Sequence, residues 1–218
     1  MFSKYVQTVV GFAMAIGLLT APAGANLIAN GSFENGNLPT PSGVSVLAGG
    51  TNITDWIVGG GGVDYIGTLW QAADGTRSID MDSGKDNRTG PFAGSLSQSF
   101  ATTSGQLYAV DFDLAGNPDG GPILKTVAVS AAGQTQDFSF TNTVQTYSNM
   151  GYLPQEFLFT ANSSSTTLMF ASLSGTGYGP VIDNVVVSPV PEPASLMLVA
   201  LSLLPFVVLR RRTVGGNL

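Results

Sequence analysis

Tyr108-Ala109-Val110-Asp111-Phe112-Asp113-Leu114 decides the fold class. Tyr108, Val110, Phe112 and Leu114 fall at every second position, with Ala109, Asp111 and Asp113 between them, so one side is apolar and the other polar. A period of two belongs to a strand with one buried face; a helix would scatter these residues around its circumference. Shorter runs of the same kind follow at Val127 and Val129, Phe138 and Phe140, Phe157 and Phe159, Leu168 and Phe170, and Val181 to Val187. Others precede it: Val44 to Leu47, Trp56 to Val58, Val63 to Ile66, Ser78 to Met81 and Leu96 to Phe100. Turn residues separate them at Gly59 to Gly62, Asp74-Gly75, Gly116 to Pro122, Gly133 and Gly175 to Gly179. The pattern predicts one all-β domain of about ten strands, folded as a two-sheet β-sandwich. A parallel β-helix is the alternative, but no short repeat of fixed period supports it.

Outward from this body, both ends of the chain read as address labels. At the N-terminus, Lys4 supplies a positive charge, Val9 to Leu19 an apolar stretch, and Ala23-Gly24-Ala25 a small-x-small cleavage site. Residues 1–25 are therefore expected to be a signal peptide, cut after Ala25; Ala21-Pro22-Ala23 is a second, less suitable site because proline sits inside it. At the other end, Pro191-Glu192-Pro193 leads into the apolar run Leu196 to Leu209, which stops at Arg210, Arg211 and Arg212. Its 14 residues fall short of the roughly 20 that a stable membrane span prefers, which suits a temporary anchor held with its basic end in the cytoplasm. The triplet, apolar helix and terminal arginines together resemble the PEP-CTERM sorting signal of Gram-negative bacteria, here residues 190–218. That resemblance implies an exosortase partner, transient residence in the inner membrane and delivery to the cell envelope, surface or matrix. An ordinary C-terminal membrane anchor is the alternative.

Without these segments the charge balance changes. Lys4 and the three terminal arginines account for half of the eight basic residues, whereas only Glu192 leaves the fourteen acids; residues 26–189 then hold 13 acids against 4 bases, a net charge of −9. Such a body is a poor partner for nucleic acid, which needs basic surface. The chain has no cysteine, so burial and sheet hydrogen bonds must stabilise it without disulfides. The chain has no histidine either, which removes the Ser-His-Asp triad and the commonest zinc ligand together.

Two stretches of the body carry a further resemblance. Asn26 to Glu34 looks like the opening strand, and Ile182-Asp183-Asn184-Val185 the closing strand, of galactose-binding-domain-like jelly-roll sandwiches, which include many carbohydrate-binding modules. Val63 to Gly67 with Trp70, Asp74-Gly75 with Ser78-Ile79-Asp80, and Leu114 to Pro122 resemble the choice-of-anchor C family, exported bacterial proteins related to a plant cell-wall family. The resemblance implies a structural calcium near the first and last strands, with Glu34 and Asp183 as its carboxylates. The alternative is that both are solvated or hydrogen-bonded acids.

Sugar rings present apolar C–H faces that stack on flat side chains, which makes Trp56, Tyr65, Trp70 and Tyr178, all near glycine-rich turns, candidate ligand-binding residues. Core packing competes for each of them, most strongly for Trp56. Asp80 to Asn87 fails the calcium-loop pattern, because the sixth position is Lys85 and the twelfth Pro91; a solvated turn is expected there, with Asp80 and Asp82 opposite Ile79 and Met81. No pair of carboxylates is singled out for glycoside hydrolysis, and Gly59 to Gly62 lacks the lysine of a phosphate loop. The sequence thus points to an exported, non-catalytic surface or matrix protein that binds polysaccharide weakly. A purely structural biofilm matrix protein is the second reading and a hydrolase the third.

Overall fold

The computed structural model describes residues 25–84 and 89–191. The signal segment before Ala25, and Glu192, Pro193 and the apolar tail through Arg210, Arg211 and Arg212, lie outside the described residues.

The described residues contain no helix and eleven strands: β1 (Gly43–Val46), β2 (Ile57–Gly60), β3 (Val63–Ile66), β4 (Ser78–Asp80), β5 (Gly94–Ala101), β6 (Leu107–Gly116), β7 (Leu124–Ala131), β8 (Gln134–Thr141), β9 (Leu153–Thr160), β10 (Ser165–Ser172) and β11 (Pro180–Pro189). Each overlaps one of the alternating stretches. They form a six-stranded sheet in the order β1-β3-β4-β11-β6-β9 and a five-stranded sheet in the order β2-β5-β10-β7-β8. Every pairing is antiparallel.

The sheets close on the apolar faces that the alternation marks. Phe112 of β6 reaches across to Phe138 and Phe170, each at 5.2 Å between ring centroids and edge-on. Tyr108 stacks on Phe159 at 5.4 Å. Offset and edge-on rings of this kind gain electrostatically beyond their burial.

The segment Asn26 to Glu34 differs from expectation. It is a series of turns rather than a strand, with Asn30 and Phe33 both at left-handed backbone angles (φ 52 and 59). It still lies along β11: Leu27 N–H donates to Val187 O, Val185 N–H to Gly31 O, and Asn26 bonds both Val185 O and Val187 N–H. The register of β11 shifts between Asp183 and Val186, with Asn184 also left-handed at φ 52. Gly31 fits against this irregularity because a Cβ there would stand 1.9 Å from Val185 O. Both ends of the body thus meet at the Pro189 end of β11. The loops after β4, β6 and β10 gather at its Pro180 end.

Candidate functional site

Residues directly opposite each other in an antiparallel pair share a face. Asp64, Asp80, Val181 and Ala115 form one such row across the six-stranded sheet, and Tyr65, Ile79, Ile182 and Leu114 the next. Leu114 shares its side with Phe112, which faces the other sheet, so the row through Asp64 and Asp80 faces outward. Loops nevertheless cover it, and Asp80 and Asp82 are both 0% exposed. The solvated turn expected at these two acids is therefore corrected. Their carboxylates are buried because they satisfy loop N–H groups that would otherwise lack acceptors.

Asp80 Oδ1 accepts the N–H groups of Asp82 and Gly179, both at 3.0 Å, and its Oδ2 accepts Asn117 Nδ2 at 2.7 Å. Asp82 Oδ2 accepts Thr176 N–H at 2.8 Å. Lys125, fully buried on β7, donates from Nζ to Gly120 O at 2.6 Å and to Tyr178 O at 2.5 Å. Three buried ionisable side chains thereby fasten the 117–122 and 175–179 loops to the sheets. Burial pushes the Asp80 carboxyl well above its usual range; the Asp82 N–H and Asn117 oppose this, and the charges of Asp64 and Asp82 add to it. Burial pushes the Lys125 ammonium down, against the attraction of Asp80 and Asp82.

Beside this network is a cleft of about 260 Å³ whose walls include Trp70, Tyr147, Tyr178, Asp64, Asn117 and Asp119. Drug-sized sites begin near roughly 300 Å³, so this one is smaller than those. Tyr147 and Tyr178 are each 41% exposed, whereas Trp70 is 5% exposed. Trp70 donates from Nε1 to Ser78 Oγ at 2.9 Å and lies 6.2 Å from the Tyr147 ring, so it backs the wall rather than offering a face of its own. Tyr147 donates its hydroxyl proton to Asp119 Oδ1 at 2.6 Å, a bond that, with some burial, pushes the phenol up to about 12. The backbone of Gly120 lies against the Tyr178 ring, where any Cβ would come within 2.4 Å of it.

The cleft brings together two of the four aromatic candidates, Trp70 and Tyr178. Trp56 and Tyr65 are corrected: both rings belong to the core and have no free face for a sugar. Trp56 packs 5.4 Å from Phe33 and 6.4 Å from Phe170, with its Nε1 donating to Asn30 O. Tyr65 is 0% exposed, donates to Phe33 O, and accepts from Arg77 Nη1 at 2.5 Å. Tyr147, Asp119, Asn117 and Asp64 are site residues that the sequence reading did not single out. Tyr147 had one signal, an aromatic alone in the polar run Thr143 to Asn149.

Glu34 and Asp183 lie at one loop, residues 73–77, but the donors they meet are N–H groups. Asp183 Oδ2 accepts from Ala73 N at 2.8 Å and Asp74 N at 3.0 Å, and its Oδ1 from Asn184 N at 2.7 Å. Glu34 Oε1 accepts from Thr76 N and Arg77 N, both at 2.7 Å, and its Oε2 from Thr76 Oγ1 at 2.9 Å. A calcium ion needs six to eight oxygens around it. In this structure both carboxylates are engaged by the donors of this loop. Adding calcium or a chelator is accordingly expected to shift the thermal midpoint by less than about 1 °C, whereas a large calcium-dependent rise would show a cation displacing these N–H groups.

Burial pushes the Asp183 carboxyl up to about 7, against the pull of its three backbone donors. The folded state therefore holds this proton more tightly than the unfolded chain, whose carboxyl titrates near roughly 3.9. The stability it confers is fully present below that value and is lost as pH rises to about 7. Urea unfolding should show the wild type losing a few kcal/mol over this window, on the order expected from linkage, and Asp183→Asn losing much less. Parallel profiles would refute it.

Taken together, the fold and the aromatic cleft at the loops define a β-sandwich module of the architecture found in carbohydrate-binding modules. The TmCBM61 module, solved in complex with beta-1,4-galactotriose, superposes with a TM-score of 0.50 at 15% identity, over 76% of this chain and 99% of that one. The CBM22-1 xylan-binding domain of Paenibacillus barcinonensis Xyn10C gives a TM-score of 0.48 at 17% identity, over 79% and 99%. The chain belongs to the DUF642 family (protein of unknown function), whose model matches residues 26–188. It is also 28% identical over 174 residues to halomucin of Haloquadratum walsbyi, an alignment that covers 77% of this chain and 2% of halomucin.

Proposed function

We propose that the chain is an exported, non-catalytic module of the cell surface or extracellular matrix that binds polysaccharide weakly in the cleft walled by Tyr147 and Tyr178. The observation that carries this reading is the pair of accessible tyrosine rings beside polar groups in one cleft, a combination suited to the alternating C–H faces and hydroxyls of a sugar. That TmCBM61, a galactotriose-bound module, shares the architecture lends support. Delivery by a removable signal peptide and an exosortase-cut tail rests on the residues at the two ends; mass spectrometry of the mature protein, expected to begin at Asn26 and to lack Arg210 to Arg212, tests it.

Binding is tested by titrating the protein against a glycan panel with millimolar sensitivity. Tyr178→Ala and Tyr147→Ala should each weaken retention about tenfold without changing the melting point. No retention of the wild type on any glycan would defeat the reading.

A structural matrix role has one observation in its favour. The outer face of the five-stranded sheet carries hydroxyl pairs, Ser99 with Thr167 at 2.7 Å and Thr126 with Ser139 at 3.0 Å, and its strands place no aromatic ring there. Such a face hydrates well and offers nothing to stack on. On this reading deletion of the protein alters cell aggregation, while Tyr178→Ala leaves it unchanged.

A further inference from the structure

We infer that the cleft takes an amino sugar with a free, protonated amine, a glucosaminyl unit of a partly deacetylated polymer, with the ammonium at Asp119. The inference rests on the polysaccharide reading and adds the charge of the ligand. Asp119 is exposed at the mouth; Tyr147 occupies its Oδ1 at 2.6 Å, and its Oδ2 accepts no hydrogen bond among the described residues. Its backbone is fixed by the bond from Asp119 N–H to Asn117 Oδ1 at 2.9 Å, so the carboxylate does not have to be ordered by the ligand. Asp64 also lines the cleft, buried and hydrogen-bonded by Ser45 Oγ at 2.5 Å and Gly84 N–H at 3.1 Å. No basic side chain lines the cleft among the described residues. The nearby Lys125 spends its donors on Gly120 O and Tyr178 O.

A carboxylate beside accessible aromatic rings suits a cation twice over, through a charge-assisted hydrogen bond and through the negative faces of the rings. The same groups repel a uronic acid, and the net charge of the body reinforces both preferences at long range. A neutral sugar gains only the stacking. The Tyr147–Asp119 bond also keeps the ring and the acid at a fixed spacing, so that one sugar unit meets both.

The test is calorimetric titration of the full chain at pH 6 and low salt with four probes: a glucosamine tetramer, its N-acetylated counterpart, a neutral galactose trimer and a galacturonate tetramer. The glucosamine tetramer should bind about tenfold tighter than the N-acetylated one, and the advantage should shrink as salt is raised. Asp119→Asn keeps an acceptor for the Tyr147 hydroxyl and should abolish the advantage. Tyr178→Ala should weaken both. Equal affinity for the two tetramers in the wild type, or a preference that survives Asp119→Asn, overturns the amine assignment and leaves polysaccharide binding standing. Tightest binding of galacturonate overturns it as well, and binding of none of the four overturns both readings.

Discussion

Asp80→Ala is expected to cost about 3–5 kcal/mol in urea unfolding, the range for removing one partner from a buried charged network. The substitution strands the N–H groups of Asp82 and Gly179 and the amide of Asn117 away from water, and removes one of the two acids that attract the buried Lys125 ammonium. Each stranded donor alone costs roughly 1–3 kcal/mol. Because Gly179 and Asn117 belong to the loops that carry Tyr178 and Asp119, glycan binding should disappear along with the stability. A loss below about 1 kcal/mol would mean that water enters and serves these donors instead, and that the carboxylate does not brace the loops.

Phe112→Ala should cost a similar amount, about 3–5 kcal/mol, by a different route. The ring is the centre of the contact between the sheets, buried against Phe138 and Phe170. Its removal leaves an apolar void between the two sheets. Phe112 projects from the face of β6 opposite the cleft, so the folded fraction of this variant should bind glycan as the wild type does. The pair of variants separates the two roles: both lower the urea midpoint, and only Asp80→Ala removes binding at temperatures where the protein is folded. Loss of binding in folded Phe112→Ala would show that the cleft depends on core packing.

The sandwich was legible because strand alternation is a local property, complete in seven residues such as Tyr108 to Leu114. Asn26 to Glu34 misled for a non-local reason: it resembles an opening strand, but Asn30 and Phe33 turn left-handed beside the irregular middle of β11, a partner more than 150 residues away. Asp80 and Asp82 look like turn acids in the sequence. Their partners Asn117, Thr176 and Gly179 lie 37, 94 and 99 residues off, and only the closed sandwich brings them together. Proximity to glycine turns selected Trp56, Tyr65, Trp70 and Tyr178 alike. It could not tell a ring that caps the core, such as Tyr65 with its hydroxyl on Phe33 O, from one that borders a cleft, because that difference depends on what the neighbouring loops cover. Tyr147 and Asp119 form a pair through a hydrogen bond across 28 residues, which no spacing rule anticipates.

The course of β11 sets where the cleft stands relative to the two ends of the body. Tyr178 precedes the strand at one end, while Leu27 and Val190 are bonded at or beyond the other. Ten strand residues span roughly 30 Å, so the chain leaving Pro191 does so about that far from the loops that wall the cleft. If the chain is tethered through residues beyond Pro191, as the proposed sorting signal would have it, the cleft stands at the end of the body far from the tether.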